Sequence, residues 1–237
     1  MTVEILFPEV CNFFGDTQNE VYLRRTLENT GAEFVRTPLD GTPYFASETP
    51  ALILIGSMSE SIQRRVIDRL MPYKERISRL IDDGCVFLAT GNSCDIFMNK
   101  IDYVTEKITV PALGLFPLDV KTDWFHRVNG KVIGQCDGIT VTGFRSQFSE
   151  YTGDNSGFCF LNVERGFGTS AGSRFEGVRR NNFFGTQLLG PVLPLNPDFC
   201  AYILRLAGID ACPAFYDTAK AAYDRRVAEF RDPEVKF

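Results

Sequence analysis

Residues 85–97 read CVFLATGNSCDIF. An apolar, strand-like run ends at Gly91 and passes at once into a short helical stretch, the strand-to-helix turn on which many α/β enzymes mount a nucleophile. Gly91, Asn92, Ser93 and Cys94 are the residues that this turn could display.

The sequence before the turn alternates strand and helix signals. Val3–Phe7, residues 33–36 and ALILIG at 51–56 read as strands; the last is apolar enough to be buried on both faces. Glu20–Thr30 reads as a helix stopped by Gly31, and Ser61–Asp83 as two helical stretches broken near Met71-Pro72. This β-α-β-α-β order predicts parallel strands joined by right-handed crossovers.

Beyond the turn the pattern changes. Asn129-Gly130 within HRVNGKVIG (126–134) predicts a hairpin turn, and residues 139–144 and 157–163 predict further strands. RSQFSEYTGDNS between them reads as a polar loop, and GFGTSAGSR (166–174) as a turn. After Gly190-Pro191, in a loop over the sheet edge, Pro197–Leu206 and Ala214–Phe230 predict terminal helices.

The 237 residues, 44% hydrophobic and 23% charged, suit one globular domain over 1–237. A net charge of −5 argues against nucleic acid as partner. No apolar run reaches the ~18 residues of a membrane span, and the amino terminus lacks a signal-peptide pattern, so a cytoplasmic location is expected. Seven cysteines, widely spaced and without CxxC, predict free thiols rather than disulfides or zinc; no metal or cofactor is expected. His126 is the only histidine.

Five stretches, in order, resemble the CobB/CobQ-like class I glutamine amidotransferases, in particular the GatD type that partners MurT-type Mur ligases. They are FPEVCNFFGDTQNEVYLRRTLENTG, LILIGSMSESIQ, IDDGCVFLATGNSCDIF, VPALGLFPLDVKT and FEGVRRNNFFGTQLLGPVLPLNP. The resemblance spans most of residues 5–205. It implies a flavodoxin-like three-layer fold, mostly a parallel sheet with antiparallel additions in the second half. It also implies release of ammonia from glutamine by a cysteine nucleophile, a histidine proton shuttle and backbone oxyanion donors.

Set on the family's Leu-Ala-Val-Cys-Gly-Gly-Tyr-Gln pattern, LATGNSCD puts Gly91 at the nucleophile position and Asp95 at the glutamine. GTQLLGP puts Leu189 at the histidine. Gly56 and Gln63 fit the oxyanion loop, but Ser57-Met58 stands where the family has further glycines. The expected former pocket is therefore Gly56, Gln63, Gly91, Asn92, Ser93, Cys94 and Leu189. Asn92-Ser93 reads as a helix cap. Cys94, three residues on, shares a helical face with Gly91 and is the one candidate nucleophile left; its bland reading is a packing thiol. His126 reads as a hairpin histidine, and Ser59 and Ser93 have no evident base.

The leading expectation is a bacterial amidotransferase-like protein that has lost glutaminase chemistry. It would bind a Mur-ligase-like partner, or hold glutamine or another small molecule in the pocket. The competing expectation is an active subunit supplying ammonia for amidation of a peptidoglycan precursor, using Cys94 or a residue supplied by the partner.

Overall fold

A computed structural model describes residues 1–237. In the first half, β1 (Thr2–Leu6), α1 (Thr17–Thr26), β2 (Glu33–Thr37), β3 (Leu52–Ile55), α2 (Glu60–Leu70), α3 (Lys74–Asp82) and β4 (Val86–Thr90) follow one another. The second half adds β5 (Lys100–Tyr103), β6 (Ile108–Pro111), β7 (Asp119–Thr122), β8 (Val128–Cys136), β9 (Ile139–Gln147) and β10 (Ser149–Thr152). It continues through β11 (Leu161–Arg165), β12 (Phe175–Glu176), β13 (Val178–Arg180) and β14 (Phe183–Thr186) to α4 (Val192–Leu195), α5 (Pro197–Leu206) and α6 (Tyr216–Arg231).

The main sheet runs β13-β14-β4-β3-β1-β2, parallel throughout except where β13 pairs antiparallel with β14. Read from β2, this is the flavodoxin order, whose direction of winding reverses between β1 and β3. Its strands are apolar on both faces because each face is covered. Ile53, Ile55, Phe87 and Ala89 pack with Val66, Leu70, Ile77 and Leu80 of α2 and α3. Leu52, Leu54, Val86 and Leu88 pack on the opposite face with Leu23 of α1 and with Phe199 and Ile203 of α5. That period of two is what a strand buried between helical layers requires.

The break in the 61–83 region falls where expected: Met71–Tyr73 forms a 3-10 turn between α2 and α3, since Pro72 has no N–H to continue the ladder. The first helix is displaced. It spans Thr17–Thr26, and Gly31, with φ +71, lies beyond a further turn.

Two four-stranded sheets complete the fold, ordered β10-β7-β5-β6 and β12-β11-β8-β9, and most of their pairings are antiparallel. Here two local expectations fail. Asn129 and Gly130 lie inside β8, paired with Ser146 and Arg145, and the hairpin turns instead at Asp137-Gly138, with φ of 48° and 78°. Both dipeptides carry the same turn chemistry. Gly130 is needed in the strand because a Cβ there would come within 2.2 Å of the Phe167 ring. The supposed polar loop after residue 144 is also structured: β9 continues to Gln147 and β10 follows at once.

Candidate functional site

The carboxyl ends of β1, β3, β4 and β14 converge on the turn after Thr90. Thr90 is extended and Gly91 has φ +59, a left-handed conformation that glycine adopts without Cβ strain. Gly91–Phe97 is then a 3-10 turn rather than an α-helix. Asn92 and Ser93 do not cap it. Asn92 grips the loop after β3 through both amide atoms: Met58 N donates to Oδ1 at 2.9 Å, and Nδ2 donates to Met58 O at 2.8 Å. Ser93 Oγ lies 2.8 Å from Thr90 O and 3.0 Å from Ile55 O. Gln63 Nε2 donates to Asn92 O at 2.7 Å, while its Oε1 accepts from the Tyr103 hydroxyl at 2.7 Å.

The space beside Gly91 is occupied. A Cβ on Gly91 would lie 2.0 Å from Ser57 Oγ, 3.0 Å from Ser57 Cβ and 3.3 Å from Gln147 Nε2. Ser57 is itself held from below: its N–H donates to Asp16 Oδ2 at 2.6 Å. Asp16 Oδ1 accepts from Thr90 Oγ1 at 2.7 Å and from Asn19 Nδ2 at 3.2 Å. Gly56 and Gly190 close around the same carboxylate, since Cβ atoms there would lie 2.7 Å from Asp16 Cβ and 2.3 Å from its Oδ1. Burial pushes the Asp16 carboxyl up, against the hydrogen bonds from Ser57 and Thr90 that favour its charge. Next to it, at the reversal between β1 and β3, a cavity of about 30 Å³ is lined by Asn12, Asp16, Asn19, Arg36 and Thr90. It has room for a water or two and not for an amino acid.

Cys94 faces a different environment. It is fully buried against β14, where a Cβ on Gly185 would lie 2.7 Å from its Sγ. Burial pushes its thiol well above the ordinary range, with a hydrogen bond from Tyr151 opposing and the charges of Asp95 and Glu176 adding to the rise. Around it lies a polar network that local sequence patterns do not reveal. Tyr151 OH donates to Asp95 Oδ1 at 2.9 Å. Gln187 Nε2 lies 3.0 Å from Ser149 Oγ and 3.4 Å from Asp95 Oδ1. Glu176 accepts from Thr186 Oγ1 at 2.9 Å and from Gln187 N at 2.7 Å. Arg145, 1% exposed, donates to the carbonyls of Gly168, Ser149 and Thr169. Burial pushes Asp95 up to about 6 and Glu176 up to about 7.

The predicted residues therefore divide. Gly56, Gln63, Gly91, Asn92 and Ser93 meet at one filled turn, while Cys94 points into the charged network behind it. Leu189 is half-buried and borders the turn: Leu188 O accepts from Gly91 N at 3.0 Å, and Leu189 N donates to Phe144 O at 2.9 Å. His126 stands on an exposed turn, with Nδ1 2.8 Å from Asp123 Oδ2. Ser59 Oγ is 3.0 Å from Ser61 Oγ at the start of α2. The sequence reading missed Asp16, the carboxylate on which this geometry turns, although it lies within the quoted NFFGD motif.

Among proteins of known function, the chain is similar to the Lipid II isoglutaminyl synthase (glutamine-hydrolyzing) subunit GatD of Staphylococcus aureus (strain N315). The two are 24% identical over 212 residues, covering 87% of this chain and 84% of that one. A solved glutamine amidotransferase superposes with a TM-score of 0.54 at 15% identity, over 87% of this chain and 99% of that one. The sequence is GatD-like and the fold is that of a glutamine amidotransferase. No family model matches the chain. A second amidotransferase structure, from Thermotoga maritima, has a TM-score of 0.49 at 10% identity, over 95% of this chain and 92% of that one.

The GatD-like motifs can now be set on the geometry. Gly91 and Ser57, the residues expected at the nucleophile and oxyanion-loop positions, are the two that meet. Asp95, expected at the position of the motif glutamine, takes part in the buried network behind the turn.

Proposed function

We propose that this GatD-like chain is a binding subunit that keeps the amidotransferase elbow for its shape and has lost glutaminase chemistry. The observation that carries this reading is Ser57 Oγ, which fills the place where a side chain at position 91 would begin. Loss of a nucleophile alone leaves its place open; here the place where its side chain would begin is taken by Ser57 as well. The residues at the shuttle and glutamine positions support the same reading, since Leu189 cannot carry a proton and Asp95 is bonded into the interior.

An active Cys94 would need an accessible thiolate. Its sulfur is instead fully buried, and the neighbouring carboxyls of Asp95 and Glu176 add to the burial that pushes the thiol up. The similar Staphylococcus protein is by its name a subunit of a glutamine-hydrolysing synthase. By extension, the partner of this chain is a Mur-ligase-like protein, held without ammonia transfer.

The test is ammonia release from glutamine, by the purified chain alone and with a candidate Mur-ligase-like protein. The expected result is no release above background in either case, with a stable complex formed on mixing. Turnover that disappears in Cys94→Ala would overturn the reading.

A further inference from the structure

Away from the elbow, the turn Asp123–His126 follows β7 and precedes β8, and its backbone is closed by His126 N donating to Asp123 O at 3.0 Å. Asp123 also accepts from Phe125 N at 3.1 Å and contacts His126 Nδ1 at 2.8 Å. These bonds hold Phe125 outward, 82% exposed. A single exposed phenylalanine is ordinary on a protein surface, but here the ring is held outward by the turn and borders an open pocket.

Beside it lies an open pocket of about 510 Å³ lined by Lys121, Asp123, Phe125, His126, Arg127, Phe148 and Glu150. That volume falls within the usual range for small-molecule sites, about 300–1,000 Å³. Arg127 lies over the Phe148 ring, 5.0 Å from its centroid, and Phe148 meets Trp124 edge to face at 5.6 Å. Trp124 in turn stacks on Tyr103 at 6.3 Å, so the pocket floor is anchored to the body of the protein. Neither Lys121 nor Arg127 enters an ion pair; they act on Asp123 and Glu60 only through space. The pocket therefore offers two cations outside any ion pair and an exposed ring, together with two carboxylates: Asp123, turned to Phe125 N and His126, and Glu150, which stands opposite Lys121 across β7 and β10 and can accept from a hydroxyl or amino group.

We propose that this pocket binds a small aromatic anion of mononucleotide size, its ring against Phe125 and Phe148 and its anionic group between Lys121 and Arg127. The inference does not depend on the fate of the glutaminase site. With a net charge of −5, the protein does not draw anions to its surface at large, so binding must come from these local groups.

Trp124 is the only tryptophan and His126 the only histidine, so both report on this pocket without labelling. The experiment titrates the intact protein with AMP, adenosine and inorganic phosphate, following Trp124 fluorescence and the His126 ring resonances. AMP is expected to give a saturable change, with adenosine and phosphate each at least tenfold weaker. Arg127→Ala, Lys121→Ala and Phe125→Ser are each expected to weaken AMP binding about tenfold, a loss of about 1.4 kcal/mol. All three are surface changes, and a thermal melt checks that each variant is folded. The proposal is overturned by the absence of a saturable change with AMP up to about 1 mM, by phosphate alone matching AMP, or by unchanged affinity in the folded Arg127→Ala variant.

Discussion

Two polar regions lie back to back across the turn 91–97, and they are built on different principles. The elbow side is organised by one carboxylate and neutral staples: Asp16 holds Ser57, Thr90 and Asn19, while Asn92, Ser93 and Gln63 join backbone groups of neighbouring loops. The network side has two carboxylates and a guanidinium, and leaves Arg145 Nε and Gln187 Oε1 without a partner. A set of satisfied hydrogen bonds specifies a shape. A buried charged set that is incompletely satisfied makes stability depend on protonation. The elbow, fully satisfied, is accordingly the rigid region of the pair, while carboxyls pushed up by burial make both regions respond to pH, Asp16 on one side and Asp95 and Glu176 on the other.

The largest expected effect tests the elbow side. Asp16→Ala removes the acceptor of three buried donors and should cost about 3–5 kcal/mol in denaturant unfolding. A loss below about 1 kcal/mol would mean that the staples hold the turn without Asp16. Next comes Gly91→Cys, which meets Ser57 Oγ and adds the strain of a side chain at φ +59. Together these should cost about 2–4 kcal/mol. Combining it with Ser57→Gly should return about 1–3 kcal/mol as coupling in a double-mutant cycle. Independent effects would contradict the filled-pocket reading.

The network side is tested by pH. Asp95 and Glu176 have folded values of about 6 and about 7, above the ordinary 3.8 and 4.5, so the fold keeps their protons longer than the unfolded chain does. Their contribution favours the fold in acid and is lost as pH rises through about 6 and about 7. Glu176→Gln, which cannot ionise, should gain stability relative to the parent by about 1–3 kcal/mol between pH 5 and pH 8. A pH-independent difference would show that Glu176 acts through its hydrogen bonds alone.

This contrast also explains what could be read from the sequence. The runs ALILIG and CVFLAT gave away the buried parallel strands, and Pro197–Leu206 is helical over the predicted span, because those signals are local. The turn at Gly91 too was legible, since the apolar run ends there. Asp16 was not: its partners Ser57 and Thr90 lie 41 and 74 residues away. Arg145, Ser149 and Tyr151 read as loop residues because they are polar, and they are buried only because Gly168, Thr169, Gln187 and Asp95 come to meet them. The displaced hairpin teaches the same lesson, for the choice of Asp137-Gly138 over Asn129-Gly130 follows from the whole β8–β9 pairing.

The smallest expected effect belongs to Cys94, which sits on the elbow turn but faces the network. Cys94→Ser replaces one small buried group with another and offers a hydroxyl to the Tyr151–Asp95 pair, so the change in stability should stay within about 1 kcal/mol. In the native protein a thiol reagent should modify the exposed Cys212 at once and reach Cys94 only on unfolding. Rapid native labelling of Cys94, read by mass spectrometry, would mean that the turn opens toward the network side. The elbow would then no longer be the rigid member of the pair, and Cys94 would again have the access that a nucleophile needs.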